Sequence, residues 1–151
     1  MLTVKKYLKE AFTAITSLGS AYFYGILTIF LILINKNQTA LHLVIGLAVC
    51  YSFVFILRIF YFKERPDKED YFNFFTRINA SSFPSLHTIS SVYTATVLAS
   101  SINKAEVTIF LYLVALLIAY SRMYIKKHYF IDILVGLIIG AIASAAYLYL
   151  A

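Results

Sequence analysis

Cysteine occurs once, at position 50, so this chain can form no internal disulfide and no cysteine-built zinc cluster. Cys50 lies inside an apolar run and reads as a small buried or lipid-facing residue. Glycine is scarce, with five residues, and none belongs to a glycine-rich phosphate loop. No nucleic-acid-binding module is recognisable, and no nucleic-acid partner is expected. Tryptophan is absent, so aromatic packing falls to 13 Tyr and 13 Phe. Internal repeats and low-complexity stretches are also absent. Charge is sparse, at 13% of residues, and acids are fewer than bases, seven against 13.

What remains is apolar. The chain is 62% hydrophobic with a mean hydropathy of +0.82. A soluble domain is nearer half apolar, so the composition predicts an integral membrane protein. The 151 residues suit one domain over 1–151. The net charge of +6 is clustered, which in a membrane protein points to a lipid surface or an anionic substrate. No cleavable signal peptide is evident after Lys5, Lys6, Lys9 and Glu10.

Residues 1–14 place Leu2, Val4, Leu8, Ala11 and Phe12 on one helical face with lysines opposite, the pattern of an interfacial amphipathic helix. Five hydrophobic segments follow, at roughly 17–34, 40–62, 85–102, 105–121 and 128–150. Each is near the 17–25 residues a membrane crossing needs. The expected fold is therefore all-α: a polytopic bundle of about five transmembrane helices plus the N-terminal interfacial helix. The polar interval from Lys63 to Phe83 is long and aromatic, and suits the headgroup level. Pro66 ends the second span or forces an extended exit.

Three short motifs sit at the edges of these runs: Arg58-x6-Arg65-Pro66, Pro84-Ser85-Leu86-His87, and Ser121-Arg122-x5-His128-x3-Asp132. Antiparallel spans put the ends near Arg65, Pro84, Arg122 and His128 on one membrane face. Arginine suits a phosphate, because its planar fork of N–H donors matches the oxygens. Arg58 near bilayer depth is costly and so a functional candidate. Arg58 and Arg65, seven residues apart, are expected two helical turns apart facing one pocket. His128 and Asp132 share a helix face, so the carboxylate can fix one ring nitrogen while the other acts as nucleophile or base. Ser85 is either a helix cap or a donor to phosphate, and His87 is placed to protonate a leaving oxygen. His42 begins the second helix about 24 Å from Arg58, too far to share the site. Glu64, Asp67, Glu69 and Asp70 read as a solvated loop, so neither metal nor cofactor is expected. Lys63, Lys68, Arg77, Lys126 and Lys127 read as attracting anionic headgroups.

The combined spacing resembles the type 2 phosphatidic acid phosphatase superfamily, which includes lipid phosphate phosphatases and vanadium haloperoxidases. The third motif matches at Ser121, Arg122, His128 and Asp132. The second matches with Leu86 in place of Gly, and the first with Arg58 in place of Lys. The resemblance implies metal-independent hydrolysis of a phosphate ester through a phosphohistidine. It makes His128 the nucleophile, Asp132 its orienter and His87 the general acid. Arg58, Arg65, Arg122, Ser85 and the Leu86 backbone N–H would hold the phosphate. Leu86 is expected to place a bulky side chain beside the site.

The Phe83-to-His87 string is also similar to that of inositol phosphorylceramide synthases, which makes a lipid phosphotransferase the alternative. A non-catalytic protein that binds anionic lipids is a third reading. The substrate class is a membrane lipid phosphate or diphosphate; the lipid itself and the oligomeric state are not specified by the sequence. With the site arginines set aside, eight basic residues fall on the catalytic face and two, Lys36 and Lys104, on the other, which predicts a cytoplasmic catalytic face.

Overall fold

The computed structural model describes residues 2–150, with Leu2 described by its backbone alone. The place of the Leu2 side chain in the expected N-terminal stripe therefore lies outside the described residues. Among them are seven helices and no strand: α1 (Leu2–Ser17), α2 (Ala21–Leu33), α3 (Asn37–Phe60), α4 (Phe74–Ala80), α5 (Leu86–Ile102), α6 (Ala105–Tyr124) and α7 (Phe130–Leu150). Helices α3, α6 and α7 are each long and apolar enough to cross a membrane. The pair α1–α2, bent by 48° at a short break, makes a fourth candidate if it is one span.

Helix α5 is the hub, packed against α3, α6 and α7. Its 17 residues lie at the short end of the roughly 17–25 that a crossing needs. Eleven of them are buried, including five Ser and Thr that a lipid-facing helix would expose to hydrocarbon. Several of those hydroxyls bond back to the preceding turn: Ser90 to Leu86 O at 2.8 Å and Ser91 to Thr88 O at 3.0 Å. Thr96 reaches across to the Ser144 hydroxyl of α7 at 2.9 Å. The helix ends at Asn103, whose left-handed backbone (φ 52°) caps it by an N–H bond to Ala99 O.

Two glycines let α7 lie close on α5. A Cβ on Gly136 would stand 3.1 Å from Ser85 O, and one on Gly140 3.2 Å from Ile89 O. The two are four residues apart and share one face. This seam fixes the start of α7 against the start of α5, where two of the three motifs meet.

The amphipathic N-terminal helix exists, and its C-terminal half is also a packing element. Phe12 stacks on Tyr120 and Tyr124 of α6 with centroids 5.6 and 4.3 Å away. Helix α3 ends at Phe60, so Arg65 lies beyond it in an irregular segment. The expected helical spacing between Arg58 and Arg65 does not hold. The interval Lys63–Phe83 also contains α4, held by a reciprocal cap between Asn73 and Thr76. Phe72, just before it, and Phe75, within it, are strongly exposed.

Candidate active site

The three motifs converge where α3 ends, α5 begins, α6 ends and α7 begins. Direct bonds knit them. The Ser85 N–H donates to Asp132 O at 3.1 Å. Arg58 donates to three backbone carbonyls of the segment that leads into α5: Pro84 O (2.9 Å), Phe83 O (3.3 Å) and Ile78 O (3.5 Å). Arg58 thus spends donors on the chain that delivers Ser85. Its burial needs no snorkelling, because these carbonyls neutralise its N–H dipoles within the protein.

His128 is 3% exposed, and its Nδ1 lies 2.6 Å from Ser82 O. A carbonyl can only accept, so Nδ1 carries the proton and Nε2 keeps its lone pair. Asp132 makes no such bond: its nearer oxygen stands 4.0 Å from Nδ1. The carboxylate is engaged elsewhere. Oδ1 accepts from Lys63 Nζ at 2.6 Å, and Oδ2 accepts from the Tyr129 N–H at 2.9 Å. At the hydrogen-bond level the ring is oriented by a backbone carbonyl, and Asp132 fastens Lys63 and the entry to α7. Lys63, which read as a headgroup attractor, also lies over the Tyr129 ring at 4.5 Å.

Burial above all, then the charges of Arg122, Arg65 and Arg58, hold His128 well below the ordinary imidazole range, against the Ser82 carbonyl, which favours protonation. The field of the same three arginines reaches His87. Arg65 donates from Nη1 to Glu69 and from Nη2 to Asn79 O at 2.6 Å. Arg122 donates from Nη1 to Thr16 Oγ1 at 3.2 Å. The Nε atoms of both Arg65 and Arg122 are buried and have no protein partner. A buried N–H donor without a protein partner is costly, so both are donors available to an acceptor that enters the site. Ser121 supports this corner: its hydroxyl lies 2.6 Å from Ile118 O and 2.8 Å from Thr16 Oγ1.

Ser85 is fully buried and its side chain caps no backbone N–H. It accepts from Thr88 Oγ1 at 2.9 Å, which leaves its own proton free to donate. His87 stands at the start of α5 behind the α1–α2 elbow, where Gly19 makes room: a Cβ there would lie 3.1 Å from the His87 ring and 2.8 Å from Ile118. The Leu86 side chain packs on the apolar cluster of α2, α3 and α5, not beside the site, which resolves the bulk expected from its replacing glycine. His42 stands apart, its ring stacked on Tyr147 at 5.3 Å. Among the described residues no three His, Cys, Asp or Glu are grouped to hold a metal ion.

Sequence reasoning missed Ser82, Thr16 and the structural part played by Lys63. Ser82 acts through its backbone, and Thr16 lies more than 100 residues from its partners, so neither left a signal.

The family model described as the PAP2 superfamily matches residues 39–151. The fold is similar to the crystal structure of LpxE from Aquifex aeolicus, with a TM-score of 0.78 and 31% identity over 95% of this chain and 86% of that one. It is also similar to the first transmembrane PAP2 type phosphatidylglycerolphosphate phosphatase from Bacillus subtilis, with a TM-score of 0.77 and 23% identity over 93% and 75% of the two chains. No curated protein matches the sequence.

Proposed function

Because the chain belongs to the PAP2 superfamily, we propose that it is an integral-membrane phosphatase that hydrolyses a lipid phosphate or diphosphate without a metal ion. The observation that carries the reading is His128, its Nδ1 proton committed to Ser82 O and its ring set among three arginines. Such a ring presents an unprotonated Nε2 to a phosphorus atom whose charge the arginines bear. In the first step Nε2 bonds to phosphorus and the P–O bond to the lipid breaks, with His87 giving its proton to the departing oxygen. In the second, His87 takes a proton from water, the water oxygen bonds to phosphorus, and the N–P bond breaks to release phosphate. Arg65, Arg122, Ser85 and the N–H groups at the start of α5 hold the phosphoryl oxygens, and Arg58 adds its charge from behind the Pro84 carbonyl.

A phosphate-release panel with the purified protein in detergent tests this. Phosphatidic acid, phosphatidylglycerol phosphate and a polyprenyl diphosphate are the substrates, each with and without chelator. Release from at least one lipid, unchanged by EDTA, is expected. Activity abolished by EDTA and restored by a divalent ion would contradict the metal-independent step. Release that needs an added acceptor alcohol would assign a phosphotransferase instead.

The acid role of His87 has its own signature. His87→Ala is expected to slow hydrolysis of a lipid alkyl phosphate by about 10²–10⁴-fold. Hydrolysis of p-nitrophenyl phosphate should suffer much less, because that leaving group departs without a proton. Equal losses on the two substrates would make His87 a binding or structural residue.

A further inference from the structure

Glu69 belongs to none of the three motifs, yet it touches one of the site arginines, Arg65. It lies in the irregular segment between α3 and α4. One carboxylate oxygen accepts from Arg65 Nη1, and the other accepts from Lys127 Nζ at 2.6 Å. Two neighbouring acids face lysines rather than Arg65. Glu64 pairs with Lys68 on the exposed surface, and Asp67 lies 3.8 Å from Lys127 Nζ. We propose that Glu69 is a resident anion that competes with substrate and product phosphate for Arg65, and so sets the affinity of the enzyme for phosphate. The inference rests on the phosphatase reading above.

Three observations carry it. First, Glu69 binds the guanidinium that a phosphate would use: Arg65 has Nη2 on Asn79 O, Nη1 on Glu69, and Nε without a protein partner. Nε–H shares its edge of the guanidinium with Nη2, so a phosphate that takes Nε approaches from the side away from Nη1, and Glu69 opposes it by neutralising the same cation a few ångströms away. Second, the Glu69 side chain is 34% exposed and that of Arg65 12%, so the carboxylate is the more solvent-accessible member of the pair. Third, burial opposes its ionisation, but Lys127 and Arg65 outweigh burial and hold the carboxyl below the usual carboxylate range, so it is an anion at neutral pH.

Partly exposed ion pairs are weak, so a doubly charged phosphate can displace this one. A permanent clamp would instead be buried and dry. The consequence is looser binding of inorganic phosphate than two arginines and a serine would otherwise give, and faster escape of the product.

The test is Glu69→Gln, which keeps the shape and removes the charge. Inorganic phosphate is titrated into purified wild-type and variant protein by calorimetry, and its inhibition constant is measured against a lipid phosphate. The variant is expected to bind phosphate three- to tenfold more tightly in both measurements, with a matching fall in KM and no rise in kcat. Unchanged or weaker phosphate binding by a variant that retains its melting temperature would overturn the proposal and make Glu69 a positioning group for Arg65. The calorimetric arm needs no turnover. A wild-type protein that binds phosphate but hydrolyses no lipid in the panel would therefore strike the phosphatase reading, with the Glu69 comparison still decided.

Discussion

Replacing His128 by alanine is expected to lower phosphate release by at least about a thousandfold, because the step that divides the reaction in two loses its nucleophile. The helical fold should survive. The ring makes one hydrogen bond, to Ser82 O, and leaving that carbonyl unpaired costs about 1–3 kcal/mol. Circular dichroism of the purified variant checks the fold, and single-turnover reaction with a ³²P-labelled lipid phosphate checks the chemistry. Wild-type protein should carry an acid-labile label, and His128→Ala none. The pH profile gives an independent reading. A nucleophile must be unprotonated, and His128 is held well below the ordinary imidazole value of about 6.5. Activity limited by His128 should therefore persist as pH falls through that value and be lost only well below it. Undiminished turnover by His128→Ala would reject covalent catalysis at this residue.

Most of the fold was legible in the sequence because lipid imposes a simple demand: long apolar runs with polar breaks. The segments 40–62, 85–102 and 128–150 emerged as α3, α5 and α7 within a few residues at each end. What hydropathy could not show was which runs face lipid. Helix α5 read as one more span of the same kind, whereas its Ser and Thr residues are interior and it sits at the centre of the bundle. Helix α4 was hidden because its apolar residues resembled a headgroup-level loop, although Asn73 and Thr76 carried a capping signal at the right spacing. Arg65 was misplaced onto a helix because the end of α3 at Phe60 is not marked by proline until Pro66.

The site was legible wherever chemistry resides in side chains at fixed spacing. His128 and Asp132 could be placed near one another from their four-residue separation, but not on one helix face as expected, because α7 begins at Phe130 and His128 lies in the bend before it. Their partners could not be placed. The group that fixes the His128 tautomer is a backbone carbonyl, which every residue has, and it comes from Ser82, 46 positions away. Lys63 and Glu69 were read as surface charges because a sequence does not show which charge meets which. In the structure one meets Asp132 and the other meets Arg65.

The Lys63–Asp132 pair supports the second large effect, this time on stability. Asp132 is fully buried, with Lys63 Nζ 2.6 Å from Oδ1 as its charge partner. Removing one member of a buried pair leaves a charge that water cannot reach, at a cost of about 3–5 kcal/mol. Lys63 is 25% exposed, so water relieves part of this and the lower end applies. For a chain of this size, about 3 kcal/mol corresponds to a fall in Tm of about 6–12 °C. Lys63→Met is expected to show that fall in detergent and to lose activity as the Lys63–Asp132 link loosens. Asp132→Asn should melt closer to wild type, because its amide oxygen can still accept from the Tyr129 N–H and its partner Lys63 can turn to solvent. The double variant Lys63→Met with Asp132→Asn should be more stable than Lys63→Met alone, since the stranded carboxylate is gone. That recovery separates charge from packing, because a pure packing loss at Lys63 would persist in the double variant. A Lys63→Met protein that melts with wild type would show that Asp132 needs no partner and would return Lys63 to the surface role its sequence context suggests.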